Sequence, residues 1–79
     1  MSPPTVLVRI DNSRRRGKVV TVVVGLPLHP EGKRTLLQDL QRLCGAGGAL
    51  KGGALELQGD HRVRVAVRME TIGYRVKIL

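Results

Sequence analysis

Apolar side chains in this sequence fall into short alternating runs and one helical stripe, and the two periods divide the chain. Val6-Leu7-Val8-Arg9-Ile10 has the composition of a strand. Asp11-Asn12-Ser13-Arg14-Arg15-Arg16-Gly17 is a polar loop closing on a glycine. Lys18 then leads into Val19-Val20-Thr21-Val22-Val23-Val24, a β-branched run that packs well on a pleated surface. Two strands across a short loop predict a β-hairpin. Because strand side chains alternate, Val20, Val22 and Val24 share one face and Val19, Thr21 and Val23 the other. A run apolar on both faces predicts a central strand whose second side is at least partly covered. Gly25-Leu26-Pro27-Leu28-His29-Pro30 ends the sheet run, and Pro30 suits the first turn of a helix with Glu31 beside its positive end. Leu36, Leu37, Leu40 and Leu43 recur at helical spacing, with Arg34, Gln38, Gln41 and Arg42 on the opposite side. Gly45 is placed to cap that helix.

Residues 45–53 form a glycine-dense stretch with one basic residue, Lys51. Ala54-Leu55-Glu56-Leu57-Gln58 reads as a strand with Leu55 and Leu57 on one face. After Gly59, Asp60 is a good N-cap for a second helix. Over residues 61–69 two periods compete. Val63, Val65, Val67 and Met69 alternate as in a strand with an arginine-studded face. Val65, Met69 and Ile72 equally fit a helix bounded by Asp60 and Gly73, which would leave Val63 and Val67 in solvent. Tyr74-Arg75-Val76-Lys77-Ile78-Leu79 alternates with Arg75 and Lys77 outward and reads as a closing strand. With the helical option the order is β-β-α-β-α-β, and layer packing predicts an α+β two-layer sandwich with both helices on one face of the sheet. Residues 1–5, which include the Pro3-Pro4 pair, read as a short flexible lead-in, and residues 6–79 as a single domain.

The 79-residue length limits the chain to one small domain, and a hydrophobic fraction of 42% is too high for a disordered basic tail. Fourteen Lys and Arg against six Asp and Glu leave a formal charge of +8, a field that predicts a polyanionic partner. Tyr74 is the only aromatic residue, so base stacking has almost nothing to work with and recognition should proceed through phosphates and shape. Cys44 is the single cysteine, which fits a reducing compartment and leaves no cysteine-based zinc site. No apolar run reaches membrane-spanning length, and the first residues lack the order of a secretory signal, so a cytoplasmic location and no membrane partner are expected.

Catalytic chemistry finds little support. The glycine-dense stretch fails the P-loop pattern, because no glycine precedes Lys-Ser or Lys-Thr, and fails G-x-G-x-x-G at Leu50. Its glycines supply turns and close approaches instead. His29 and His61 have neither an apparent nucleophile nor a carboxylate pair beside them, and Cys44 reads as a small buried apolar residue. No enzyme activity, metal or cofactor is expected. Arg14-Arg15-Arg16-Gly17-Lys18 carries four cations in five residues at a hairpin tip. A solvated loop is the plain explanation. The functional one is a projecting finger for phosphates, which the planar guanidinium fork binds in pairs of hydrogen bonds.

Cys44-Gly45-x-Gly47-Gly48-x-x-Lys51-x-Gly53, followed by Leu55-Glu56-Leu57-Gln58-Gly59-Asp60-His61-Arg62, resembles the signature of the translation initiation factor 1 (SUI) family. The similarity is greatest to short archaeal factors and bacterial YciH-type members and covers roughly residues 8–79. It implies two helices on one face of a mostly antiparallel sheet, with residues 61–69 helical. It further implies binding to the small ribosomal subunit near the peptidyl site, and discrimination of start codon and initiator tRNA. Carried over by position, the RNA contacts fall on Arg14, Arg15, Arg16 and Lys18 of the loop and on Lys33 and Arg34 of the first helix. The expected partners are ribosomal RNA, with initiator tRNA and mRNA in the decoding region, bound by a monomer. The alternative is a general basic RNA-binding module on the same fold without a start-codon role.

Overall fold

The computed structural model describes residues 4–12 and 18–79. Seven elements follow one another: β1 (Thr5–Asp11), β2 (Val20–Val24), α1 (Pro30–Cys44), β3 (Gly48–Lys51), β4 (Ala54–Gln58), α2 (Arg62–Thr71) and β5 (Arg75–Ile78). The strands form one sheet in the order β3-β4-β2-β1-β5, so the valine-rich β2 is central. Three pairings are antiparallel and only β1 with β5 is parallel, as a mostly antiparallel α+β sandwich requires.

One strand more is present than the alternation predicts. β3 occupies part of the glycine-dense stretch and pairs with β4 through a two-residue turn, with Lys51 opposite Ala54. Gly52 and Gly53 both have positive φ, 54° and 81°, the combination that a tight hairpin turn of matching twist demands. Gly48 permits the pairing itself: a Cβ there would collide with the carbonyl oxygen of Glu56 and stand 3.1 Å from Leu57 Cδ2. β1 begins at Thr5, the last residue assigned to the lead-in. Thr5 pairs with Arg75, and the Pro4 carbonyl accepts the Arg75 N–H at 3.1 Å, since proline lacks only the donor.

The core lies between the sheet and the two helices. Val6 and Val8 of β1, Val23 of β2 and Leu55 and Leu57 of β4 form one cluster with Leu36, Leu37 and Leu40 of α1 and Val65 and Met69 of α2. Complete burial of each such side chain contributes roughly 1.5–3 kcal/mol. Among the described residues no helix covers the opposite sheet face, yet Val22 is only 2% exposed there and Val20 and Val24 are half-buried. The register places Arg9 and Glu56 on either side of Val22, so long neighbouring side chains shelter the second face of the central strand.

Both helices end on specific backbone chemistry. α1 opens with Pro30 after His29 and closes on Gly45 in the left-handed conformation, φ 61°, which no β-carbon-bearing residue adopts as readily. α2 takes the helical option over the strand one: Val65 and Met69 are fully buried, while Val63 and Val67 are 72% and 57% exposed. Its N-cap is His61 rather than Asp60, and no side chain caps it. Asp60 stands one residue earlier and accepts the Arg62 backbone N–H at 3.3 Å while its oxygens take the Arg62 guanidinium at 3.0 Å. Beyond Ile72, Gly73 has φ 108° and Tyr74 N–H reaches back to Met69 O at 3.0 Å, turning the chain into β5.

Candidate nucleic-acid interface

The expected RNA-contact residues stand at two ends of the sheet. Lys18 is exposed just ahead of β2, at the end where Asp11 and Gln58 flank Val20. Arg14, Arg15 and Arg16 lie outside the described residues. α1 begins at the other end of β2 and runs back, so Lys33 and Arg34 in its first turns sit beside the β3–β4 turn. The Lys33 ammonium reaches so close to Gly53 that a Cβ there would lie 3.2 Å from Nζ. Lys51, the last residue of β3, is exposed at the same end of the sheet, and the register puts it on the face away from α1. Four residue steps of β4 separate the two ends, about 13 Å of strand. Lys18 and the Lys33–Arg34 pair therefore do not converge on one phosphate.

Around the Lys18 end the backbone is tied down. Thr21, fully buried on β2, donates its hydroxyl to Gly59 O at 2.7 Å and accepts the His61 N–H at 2.9 Å. Gly59 N–H donates to Val19 O at 2.8 Å. The His61 ring bonds Gln58 O through Nε2 at 2.7 Å, which sets the hydrogen on that nitrogen. Gly59 has φ 94°, and a Cβ on it would come within 2.9 Å of the same nitrogen. The Gln58-Gly59-Asp60 turn is thus scaffold, fastening the start of α2 to the central strand.

Three arginines of α2 belong to the basic surface and were not among the expected contacts. Arg62 pairs with Asp60, Arg64 donates from Nη1 to the Leu43 carbonyl at 3.3 Å, and Arg68 stands 3.6 Å from Asp39. The Arg62 guanidinium holds the Asp60 carboxyl below its ordinary range, chiefly by its side-chain hydrogen bonds. The arginine-studded alternation over residues 61–69 was the sequence signal for this face. On the helix-free sheet face the register groups Arg75 and Lys77 of β5 beside Thr5 and Leu7, with Arg9 farther along β1. Here the signal was the outward phase of the closing strand.

Catalytic groupings are sparse in the same regions. Cys44 is half-buried against the core cluster, and desolvation pushes its thiol up while Arg64 pulls it the other way. Among the described residues, no three His, Cys, Asp or Glu side chains gather as a metal site, and no helix is long and apolar enough to cross a membrane.

Comparison with known proteins gives this basic scaffold its relatives. The profile of the family described as "Translation initiation factor SUI1" matches residues 2–75. An uncharacterized protein, sll0546, of Synechocystis is 42% identical over 73 residues, covering 92% of this chain and 66% of the relative. A protein translation factor SUI1 homolog of Ignicoccus hospitalis is 39% identical over 69 residues, 86% of this chain and 66% of that one. The uncharacterized protein YciH of Escherichia coli is 36% identical over 73 residues, 92% and 68% of the respective chains. The chain spans about two thirds of the length of the relatives it matches. With the profile covering nearly every residue and the fold built on the turns and glycines of the signature, the chain belongs to the SUI1 family of translation initiation factors.

Proposed function

We propose that this protein binds the small ribosomal subunit and contributes to discrimination of the start codon and initiator tRNA. Family membership over residues 2–75 is the observation that carries this reading, and the +8 charge agrees with it. The protein acts by occupancy rather than by covalent chemistry, in the cytoplasm and as a monomer. Lys18, Lys33 and Arg34, with Arg14, Arg15 and Arg16 of the loop, contact phosphates of ribosomal RNA. Such contacts give affinity and position but carry little sequence information. Discrimination then arises because the seated loop obstructs initiator tRNA on a mismatched start codon, through steric and electrostatic conflict. Initiator tRNA and mRNA in the decoding region are accordingly its secondary partners.

Footprinting on isolated small subunits tests partner and position together. Protection of decoding-region RNA that disappears with R14A/R15A/R16A supports the proposal, and absence of any footprint at low salt refutes it. The general RNA-binding alternative is favoured by one observation: the two cationic ends of the sheet suit any folded RNA with phosphates at that spacing. Toeprinting on AUG and near-cognate starts separates the two readings, because a general binder gives no codon-dependent difference.

A further inference from the structure

The outward surface of α2 has a composition that neither the core nor the RNA contacts explain. Val63 and Val67 stand one helical turn apart and are 72% and 57% exposed, although each would be stabilised by burial. Together with Leu43 at the end of α1 they line an open groove of ≈ 840 Å³, room for several side chains rather than one. Its walls carry Arg62, Arg64 and Arg68. Asp60 pairs with Arg62 and Asp39 stands 3.6 Å from Arg68, which leaves the positive charge of Arg64 in surplus along the groove.

We propose that this groove docks an acidic, amphipathic segment of a partner protein, with apolar anchors seated over Val63, Val67 and Leu43 and carboxylates reaching the arginine walls. Two properties decide the class of occupant. Phosphates satisfy arginines but do nothing for exposed valines, so a nucleic-acid backbone leaves the apolar floor without a partner. A second copy of this chain brings an identical arginine rim and the same +8 charge, so like charges meet across the contact. An apolar-anchored acidic segment satisfies both the floor and the walls, as amphipathic helices do in apolar grooves elsewhere. Arg64 also fixes the groove's shape, because its bond to the Leu43 carbonyl at 3.3 Å joins the C-terminal end of α1 to α2. The surface is independent of the Lys33–Arg34 end of the sheet, so it can be occupied while RNA is bound there.

The test is selection of the full chain against a displayed library of amphipathic segments, about 16 residues long, whose flanking positions vary between Glu and Lys. Glu-flanked, apolar-anchored segments should be enriched. A synthetic copy of the enriched segment should shift the backbone amide resonances of Leu43 and residues 61–71. V63D and V67D should each weaken its binding by about tenfold or more, as loss of a central anchor does. Both positions are exposed, so the fold should survive, and unchanged amide spectra elsewhere verify it. R64Q, which removes the charge but keeps an N–H donor, provides a second arm and should weaken the preference for Glu-flanked segments. No enrichment, enrichment of Lys-flanked segments by the unsubstituted chain, or binding indifferent to V63D and V67D overturns the proposal. So does displacement of the segment by duplex RNA, which assigns the groove to nucleic acid. None of these outcomes depends on ribosome binding.

Discussion

The buried hydroxyl of Thr21 and the backbone of His61 are joined across the sheet–helix boundary at 2.9 Å, while the same hydroxyl donates to Gly59 O at 2.7 Å. One side chain on the central strand thereby satisfies an orphan N–H at the start of α2 and a carbonyl in the turn before it. Valine in its place keeps the shape and removes both bonds. T21V should lower stability by about 2 kcal/mol, the scale of leaving buried polar groups unsatisfied, while T21S should cost less because the hydroxyl remains. Urea unfolding with an unchanged denaturant slope measures the difference.

Glycines at two positions should respond differently to alanine. At Gly48 a Cβ meets the Glu56 carbonyl and Leu57 of the neighbouring strand, so G48A should pry β3 from β4 and cost about 1–3 kcal/mol. At Gly45 no atom lies within 4 Å, but the left-handed backbone disfavours a side chain, so G45A should cost about 1 kcal/mol. Amide hydrogen exchange distinguishes them: G48A accelerates exchange along β3, G45A at the end of α1.

Core truncation should be severe in so small a domain. Leu40 is fully buried between α1 and the sheet, and L40A should destabilise by about 2–5 kcal/mol through lost burial and a cavity. Thermal unfolding should shift down by tens of degrees or lose its cooperative transition altogether.

Asp60 gives a signed pH dependence. Its carboxyl is held below the ordinary range by Arg62, so the folded state binds that proton less readily than the unfolded chain does. The stabilisation is present above the unfolded value, about 3.9, and disappears as pH falls through the lower folded value. D60N should flatten the acid limb of the stability curve by lowering stability slightly at neutral pH, where the pair is formed, while leaving the most acidic points unchanged. Both partners are solvent-accessible, so added salt should shrink the difference.

Salt dependence reports on the basic ends. K33A/R34A should reduce the slope of log affinity for small-subunit RNA against log salt by up to about two units, and K18A by about one. Because the two ends are separated along β4, the losses should add. Filter binding over a salt series checks both.

Period and side-chain size made much of this fold readable, and particular residues show where reading stopped. The β-branched run 19–24 and the stripe Leu36, Leu37, Leu40 declared β2 and α1. Residues 61–69 declared two structures at once, since outward valines at 63 and 67 complete a strand alternation that the buried Val65 and Met69 contradict only through tertiary packing. β3 was obscured because its first residue must be glycine for a backbone approach that only the folded sheet creates. Its one local signal was the Gly52-Gly53 pair. The basic residues were visible as types, but not their grouping. α1 returns along the sheet and so carries Lys33 and Arg34 away from Lys18, a matter of topology that no local pattern encodes.

The parallel pairing of β1 with β5 sets an order on assembly. Thr5 and Val6 find their neighbours in Arg75 and Val76, a separation spanning every other element of the fold, so that pairing must wait until β5 has been synthesised. The entropy of closing so long a loop falls on this single step, while the hairpins close early over short spans. During synthesis one flank of β1 therefore stays unpaired until β5 has emerged.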